Sequence, residues 1–241
     1  MLITLISAKG SPGTTTASVA LAASCGPNQP ALFIEIDPSG GDTEALTGIT
    51  GEPGLLRVAN DLRRHVDPQV LPAYAASAPP GVDSILSPTS GAASASLLGS
   101  MAERIGPAFS KLPMTVVADG GRWSPRQASA HRIAGSDVVL LVCRPTVSSI
   151  EHARHLVDAV RQVNRAVSVL LVGDRPYGPV EVATALETSV VGALAWDPGA
   201  VASLWADGVS KRWARSWLAR TATACLDVLV TPAADRQVVV S

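Results

Sequence analysis

The sequence predicts a doubly wound α/β domain with a mainly parallel sheet flanked by helices. Three observations predict it. Short, continuous, β-branched apolar runs recur along the chain, stretches with helical spacing separate them, and a Gly-rich turn follows the first run directly. Apolar runs that do not alternate are the signature of strands buried on both faces, and their alternation with helices is the pattern of a parallel sheet.

In chain order, residues 2–8 (LITLISA) read as the first strand and residues 14–24 (TTTASVALAAS) as the first helix. Residues 31–37 (ALFIEID) form the next strand. Residues 51–113 are less regular, with GEPG, APPG and SPTSGAASAS breaking them into helices and loops around one short strand at 82–87 (VDSILS). Strands follow at 114–119, 137–145 and 167–174, with a helix at 148–163 between the last two. Residues 204–230 read as one closing helix, with Trp213, Trp217, Leu218, Ala224, Cys225 and Val228 on its apolar face and Lys211, Arg212 and Arg215 opposite or beside it. Nothing resembles a linker, so residues 1–230 are expected to form one domain and 231–241 a loosely held tail.

Composition narrows the function. The 241 residues suffice for a full core, and 19 basic against 20 acidic residues leave a formal net charge of -1, so no global field draws the chain to nucleic acid or anionic lipid. A preference for arginine over lysine, with abundant alanine, is the bias of a GC-rich bacterial genome. Cys25, Cys143 and Cys225 lie far apart and read as buried thiols of a reducing compartment. The opening LITLI is too short for a signal-peptide core, and no uncharged apolar run approaches the ~20 residues that span a bilayer. A cytoplasmic location is expected. His65, His131, His152 and His155 show no metal spacing, and GxSxG is absent, so a nucleophilic hydrolase has no support.

The chemistry is expected in the stretch SAKGSPGTTT, residues 7–16. A strand, a Gly-rich turn and a helix in series aim backbone N–H groups and a helix N-terminus at phosphate oxygens. Against the phosphate-loop pattern G-x-x-x-x-G-K-[ST], residues 8–15 place Gly13 at the second glycine, Thr14 at the lysine and Thr15 at the metal-binding hydroxyl. Pro12 contributes no N–H to the turn.

These residues resemble the ParA/MinD family of P-loop ATPases, whose loop reads KGGxGKTT. The likeness continues through LFIEIDPSGGD, MTVVADGGR, SDVVLLVCRPTVSSIEHARHLVDAV, LLVGDRPYGPVEVATAL and VVGALAWDPGAVASLWADG, weakest between Gly51 and Pro113. It implies ATP or ADP with Mg²⁺ as cofactors. Lys9 then matches the early lysine that reaches the partner subunit's phosphates in a homodimer closed through the phosphate-loop face. Lys9, Gly10, Ser11, Gly13, Thr14, Thr15 and Thr16 would bind phosphate; Thr15, Asp37 and Asp119 would hold the metal. Asp37 would stand beside the attacking water, and Gly120 and Gly121 near a γ-phosphate, while Glu35 replaces an aspartate. The family's base-reading asparagine is missing, leaving Asp174 and Tyr177 as the base-site residues. Arg122 and Trp123 fall at the family's switch, as an interface anchor or as core.

Because phosphoryl transfer depends on fixed charge, loss of the lysine leaves three alternatives: a relic turn with threonine caps, binding with little turnover, or a competent ATPase. The resemblance implies a degenerate positioning or scaffold factor, as in the TadZ/CpaE group that localises Flp/Tad pilus machinery at the pole. Such a factor would have protein partners of a polar or secretion assembly and recruitment to the pole or inner membrane face. The competing expectations are an active ATPase in DNA partitioning or division-site positioning, and a nucleic-acid-binding module on the same fold using the basic, Trp-rich C-terminal stretch.

Overall fold

The computed structural model describes residues 1–9, 12–26 and 29–230. The proposed tail, 231–241, lies outside them. Eight strands form one sheet in the order β3-β4-β2-β5-β1-β6-β7-β8. They are β1 Leu2–Ser7, β2 Ala31–Glu35, β3 Ala76–Ser77, β4 Asp83–Ile85, β5 Thr115–Arg122, β6 Val138–Cys143, β7 Val167–Val172 and β8 Val190–Leu194. Every pairing is parallel except β3 with β4.

Alternating side chains of each central strand serve opposite faces. In β1, Ile3 and Leu5 pack with α1 (Thr14–Ser24) and the C-terminal α9 (Trp217–Val230). Its Leu2 joins α3 (Gly54–Arg63) and α4 (Gly91–Phe109), and its Ile6 joins α5 (Val147–Val163) and α6 (Pro179–Leu186). The sheet is therefore covered on both sides, as its continuous apolar runs require.

The first helix spans the predicted residues. Its alanines let it lie close to the sheet, and Gly192 in β8 does the same for α9, since a Cβ there would stand 2.8 Å from Cys225 Sγ. Cys143 and Cys225 are buried and Cys25 is half-buried; burial pushes all three thiols up, to about 12, 11 and 11 respectively, and all are free.

The expected single helix over 204–230 is corrected. The chain breaks into α7 (Pro198–Asp207), the short α8 (Lys211–Ala214) and α9. Gly208, at φ 66°, ends α7, Ser210 Oγ accepts the Trp213 N–H to start α8, and Ser216 Oγ accepts the Ala219 N–H to start α9. The apolar face differs accordingly. Trp213 is buried from α8, whereas Leu218, Ala219, Ala222, Cys225, Leu226 and Leu229 are the buried residues of α9, and Trp217 is 67% exposed. Ala224 and Val228 also face outward.

Candidate functional site

The site gathers at the carboxyl ends of β1, β2 and β5, where open α/β sheets bind ligands. Register fixes which residues meet there: Leu5 of β1 pairs with Asp119 of β5, and Asp119 pairs with Glu35 of β2. Between Leu5 and Ser7 the β1–β5 ladder shifts, so that Ser7 lies opposite Arg122. This bulge carries Gly120 and Gly121 and turns the end of β5 toward the loop. Gly121 adopts φ 58°, and a Cβ on it would fall 1.8 Å from Asp37 Oδ2, so glycine is what allows the segment after β2 to touch the segment after Asp119.

The first helix opens without a capping side chain. Gly13 is its cap residue, and no acidic residue lies in the first turn. Thr14 is 7% exposed, and its Oγ1 is buried with no partner among the described residues. The Thr15 side chain hydrogen-bonds Asp119, which also accepts the Gly121 N–H at 3.0 Å. Thr16 lines a neighbouring cleft. Lys9 is exposed, and Gly10 and Ser11 lie outside the described residues.

Asp119, 2% exposed, is pushed up to about 7 by burial first and by the Asp37 and Glu35 charges last, against its two hydrogen bonds. Burial also raises Asp37, whose Oδ1 accepts the Ser39 N–H at 2.7 Å. Glu35 is fully committed elsewhere. Its Oε1 accepts the N–H groups of Asp42 (3.1 Å) and Thr43 (2.9 Å) and the Thr43 hydroxyl (2.6 Å), while Oε2 accepts the Ser87 N–H at 3.1 Å. The Glu35 side chain thus ties β2 to α2 (Thr43–Thr47) and to the segment that follows β4.

Sequence reasoning missed Arg132. It is 0% exposed on the 3₁₀ turn Ala130–Ile133, and its charge is felt by both Asp37 and Asp119. Nη2 donates to Gly120 O at 2.7 Å, and Nη1 donates to Ser129 O at 3.0 Å. Its Nε finds no partner among the described residues, and burial lowers the guanidinium to about 10. Trp123 is core: it is buried and donates from Nε1 to Ala130 O at 3.0 Å, leaving only Arg122 exposed.

A cleft of about 360 Å³ adjoins the loop, lined by Gly13, Thr16, Ala17, Arg144, Val172 and Trp196 among others. Trp196 is 62% exposed and lies under the Arg144 guanidinium at 4.7 Å. Neither Asp174 nor Tyr177 lines it: Asp174 is exposed, and Tyr177 packs against the α5–α6 core. That cleft is walled by Trp196 and not by those two. Among the described residues, no group of three His, Cys, Asp or Glu could hold a metal. Mg²⁺ needs no such cage when phosphates share its coordination, and the hydrogen-bonded Thr15–Asp119 pair is a fitting protein half. His155 pairs with Glu151 at 3.0 Å, and His152 lines a groove with Lys9.

No protein-family model matches the chain, and no curated protein is significantly similar to it. Solved structures do match in fold. A ParA family ATPase from Chlorobium tepidum aligns with TM-score 0.72 at 20% identity, covering 95% of this chain and 99% of its own. The septum site-determining protein MinD from Pyrococcus horikoshii, complexed with Mg-ADP, gives 0.71 at 15% identity over 95% and 96%. Apo McdA from Cyanthece gives 0.68 at 16% identity over 95% and 98%. The fold is that of the ParA/MinD ATPases.

Proposed function

We propose that this protein is a nucleotide-responsive positioning or scaffold factor whose loop binds ATP or ADP weakly and whose hydrolysis is slow or absent. Thr14 carries the reading. An uncapped helix N-terminus attracts anions, and a buried hydroxyl without a partner costs about 1–3 kcal/mol until one arrives. A phosphate oxygen answers both. A hydroxyl brings no charge, however, and loss of one preorganised donor at such a centre slows reaction about 10²- to 10³-fold. The described residues that would hold the phosphates are Gly13, Thr14, Thr15 and Thr16, with Thr15 and Asp119 toward Mg²⁺ and the Trp196 cleft toward the base. A bound triphosphate supplies a transferable phosphoryl group. Asp37, raised by burial and touching Gly121, is placed to sense it through the two loops that meet there.

The exposed Lys9 fits a role across a homodimer interface on the loop face. The cargo we assign is a protein assembly at a cell pole, such as Flp/Tad pilus machinery, by analogy with the TadZ/CpaE group, whose members also depart from the loop consensus. Among the described residues no helix is long and apolar enough to cross a membrane.

The test is calorimetric titration of ATP, with and without Mg²⁺, into the wild type and Lys9→Ala, followed by light scattering. Binding that weakens in the variant together with a monomer-to-dimer shift supports a nucleotide switch. Silence at millimolar ATP makes the loop a relic turn. Turnover at ordinary ATPase rates instead favours an active partitioning or positioning ATPase. One further observation favours a nucleic-acid reading: Lys211, Arg212 and Arg215 line a groove of about 460 Å³. On that reading, duplex binding falls steeply with salt and the slope shallows in Arg212→Glu/Arg215→Glu.

A further inference from the structure

The site lacks a lysine at Thr14 and has another cation at its mouth. Parallel register pairs Ser7 of β1 with Val142 of β6, so Lys9 and Arg144 each stand two residues beyond a paired position on adjacent strands. Both therefore leave the sheet side by side at its carboxyl end. The backbone of Arg144 is fixed there. Its N–H donates to Ser149 Oγ at 3.0 Å, its carbonyl accepts the Thr146 N–H at 2.8 Å, and Thr146 caps α5.

The side chain is exposed, and its guanidinium has no ion pair or hydrogen bond among the described residues; its contact is the Trp196 ring. Arg144 lines two adjoining depressions. One is the apolar cleft it shares with Gly13, Thr16 and Trp196; the other is a polar groove of about 380 Å³ it shares with Lys9, Pro12 and His152. It thus borders the phosphate loop on the side of Gly13 and on the side of Pro12.

We propose that Arg144 is the in-chain cation that grips nucleotide phosphates in place of the lysine absent at Thr14, and that its stack on Trp196 joins this grip to the base cleft. The inference rests on the reading that the loop binds a nucleotide. Arginine suits the task because its planar fork meets two phosphate oxygens at once and stays charged. Stacking on an aromatic face orients the fork while leaving its edge N–H groups free for a ligand.

The test titrates inorganic triphosphate, ATP and adenosine into the wild type, Arg144→Ala and Arg144→Lys at two salt concentrations. The expected result for Arg144→Ala is ATP and triphosphate binding weakened about 10- to 100-fold, with a shallower salt dependence and adenosine binding unchanged. Arg144→Lys, which keeps the charge, should recover much of the loss. If Arg144→Ala binds ATP and triphosphate like the wild type, or loses adenosine as strongly as ATP, Arg144 merely shapes the cleft and the inference falls alone. If the wild type binds neither ATP nor triphosphate, the nucleotide reading falls with it.

Discussion

Replacing Asp119 with asparagine isolates the cost of keeping a carboxylate in this sheet. In the folded protein Asp119 is buried and pushed up from 3.8 to about 7. The folded state therefore holds its proton more tightly than the unfolded chain. Stability is fully retained below the unfolded value near 3.8, declines as pH rises, and reaches its floor above about 7. The full shift corresponds to about 4 kcal/mol, of which about 2–3 kcal/mol accrues between pH 5 and pH 8. Asparagine keeps an oxygen for the Gly121 N–H and an amide that the Thr15 hydroxyl can accept, but has nothing to ionise. Asp119→Asn should thus gain on the wild type by about 2–3 kcal/mol more at pH 8 than at pH 5. Urea unfolding followed by the fluorescence of the buried Trp123 and Trp213 measures it at both pH values. An advantage that is flat or shrinks with pH would show that Asp119 is not raised in the folded state, and the account of its burial would fail.

Thr14→Lys restores the missing charge at a helix N-terminus with no acidic partner; ATPase rate should rise about 10²- to 10³-fold in a phosphate-release assay, and no change would mean the loop no longer meets phosphate. Gly121→Ala puts a Cβ against Asp37 at positive φ, so a loss of at least about 1–3 kcal/mol in chemical denaturation is expected. Glu35→Ala leaves three buried or half-buried N–H groups and a hydroxyl without their acceptor and should cost about 3 kcal/mol or more by the same measurement, whereas Glu35→Gln, which keeps one acceptor oxygen, should cost less.

The main strands were legible because burial on both faces demands unbroken apolar runs, and β1, β2, β5, β6 and β7 all have them. The short β8 was not marked as a strand on its own residues: Gly192 interrupts five residues, and its reason is the Cys225 side chain far along the chain. The two residues of β3 leave no pattern at all. Helical spacing ran through 204–230 because periodicity does not see Gly208 or the two serine caps. At the candidate site, the placement of Thr14 and Thr15 at the start of α1, of Asp37 just after β2 and of Asp119 in β5 could be read directly. Trp196 could not, because its place in the cleft depends on β8 lying beside β7. Arg132 gave no signal either, since its shortest bonds go to the backbone carbonyls of Gly120 and Ser129, which any sequence possesses, and its side-chain partners Gln127 and Ser129 have no charge to mark them.

The arrangement separates two properties that a phosphate loop normally combines. Among the described residues, the strand ends, the glycine bulge and the uncapped helix N-terminus still converge at one end of the sheet. Charge has been redistributed. No cation stands at position 14, Glu35 is saturated by four donors, and Arg132 sits buried where Asp37 and Asp119 feel it at all times. Arg132 is fixed beside those carboxylates by backbone carbonyl groups; its charge draws Asp37 down, while burial still holds Asp119 up near 7. Catalysis depends on charge stabilisation that strengthens at the transition state, whereas switching requires only different affinity in two conformations. The two touching loops at Asp37 and Gly121 can still provide that difference. On the proposed reading, the distribution of charge that slows turnover leaves binding able to report occupancy, which is what a positioning factor requires.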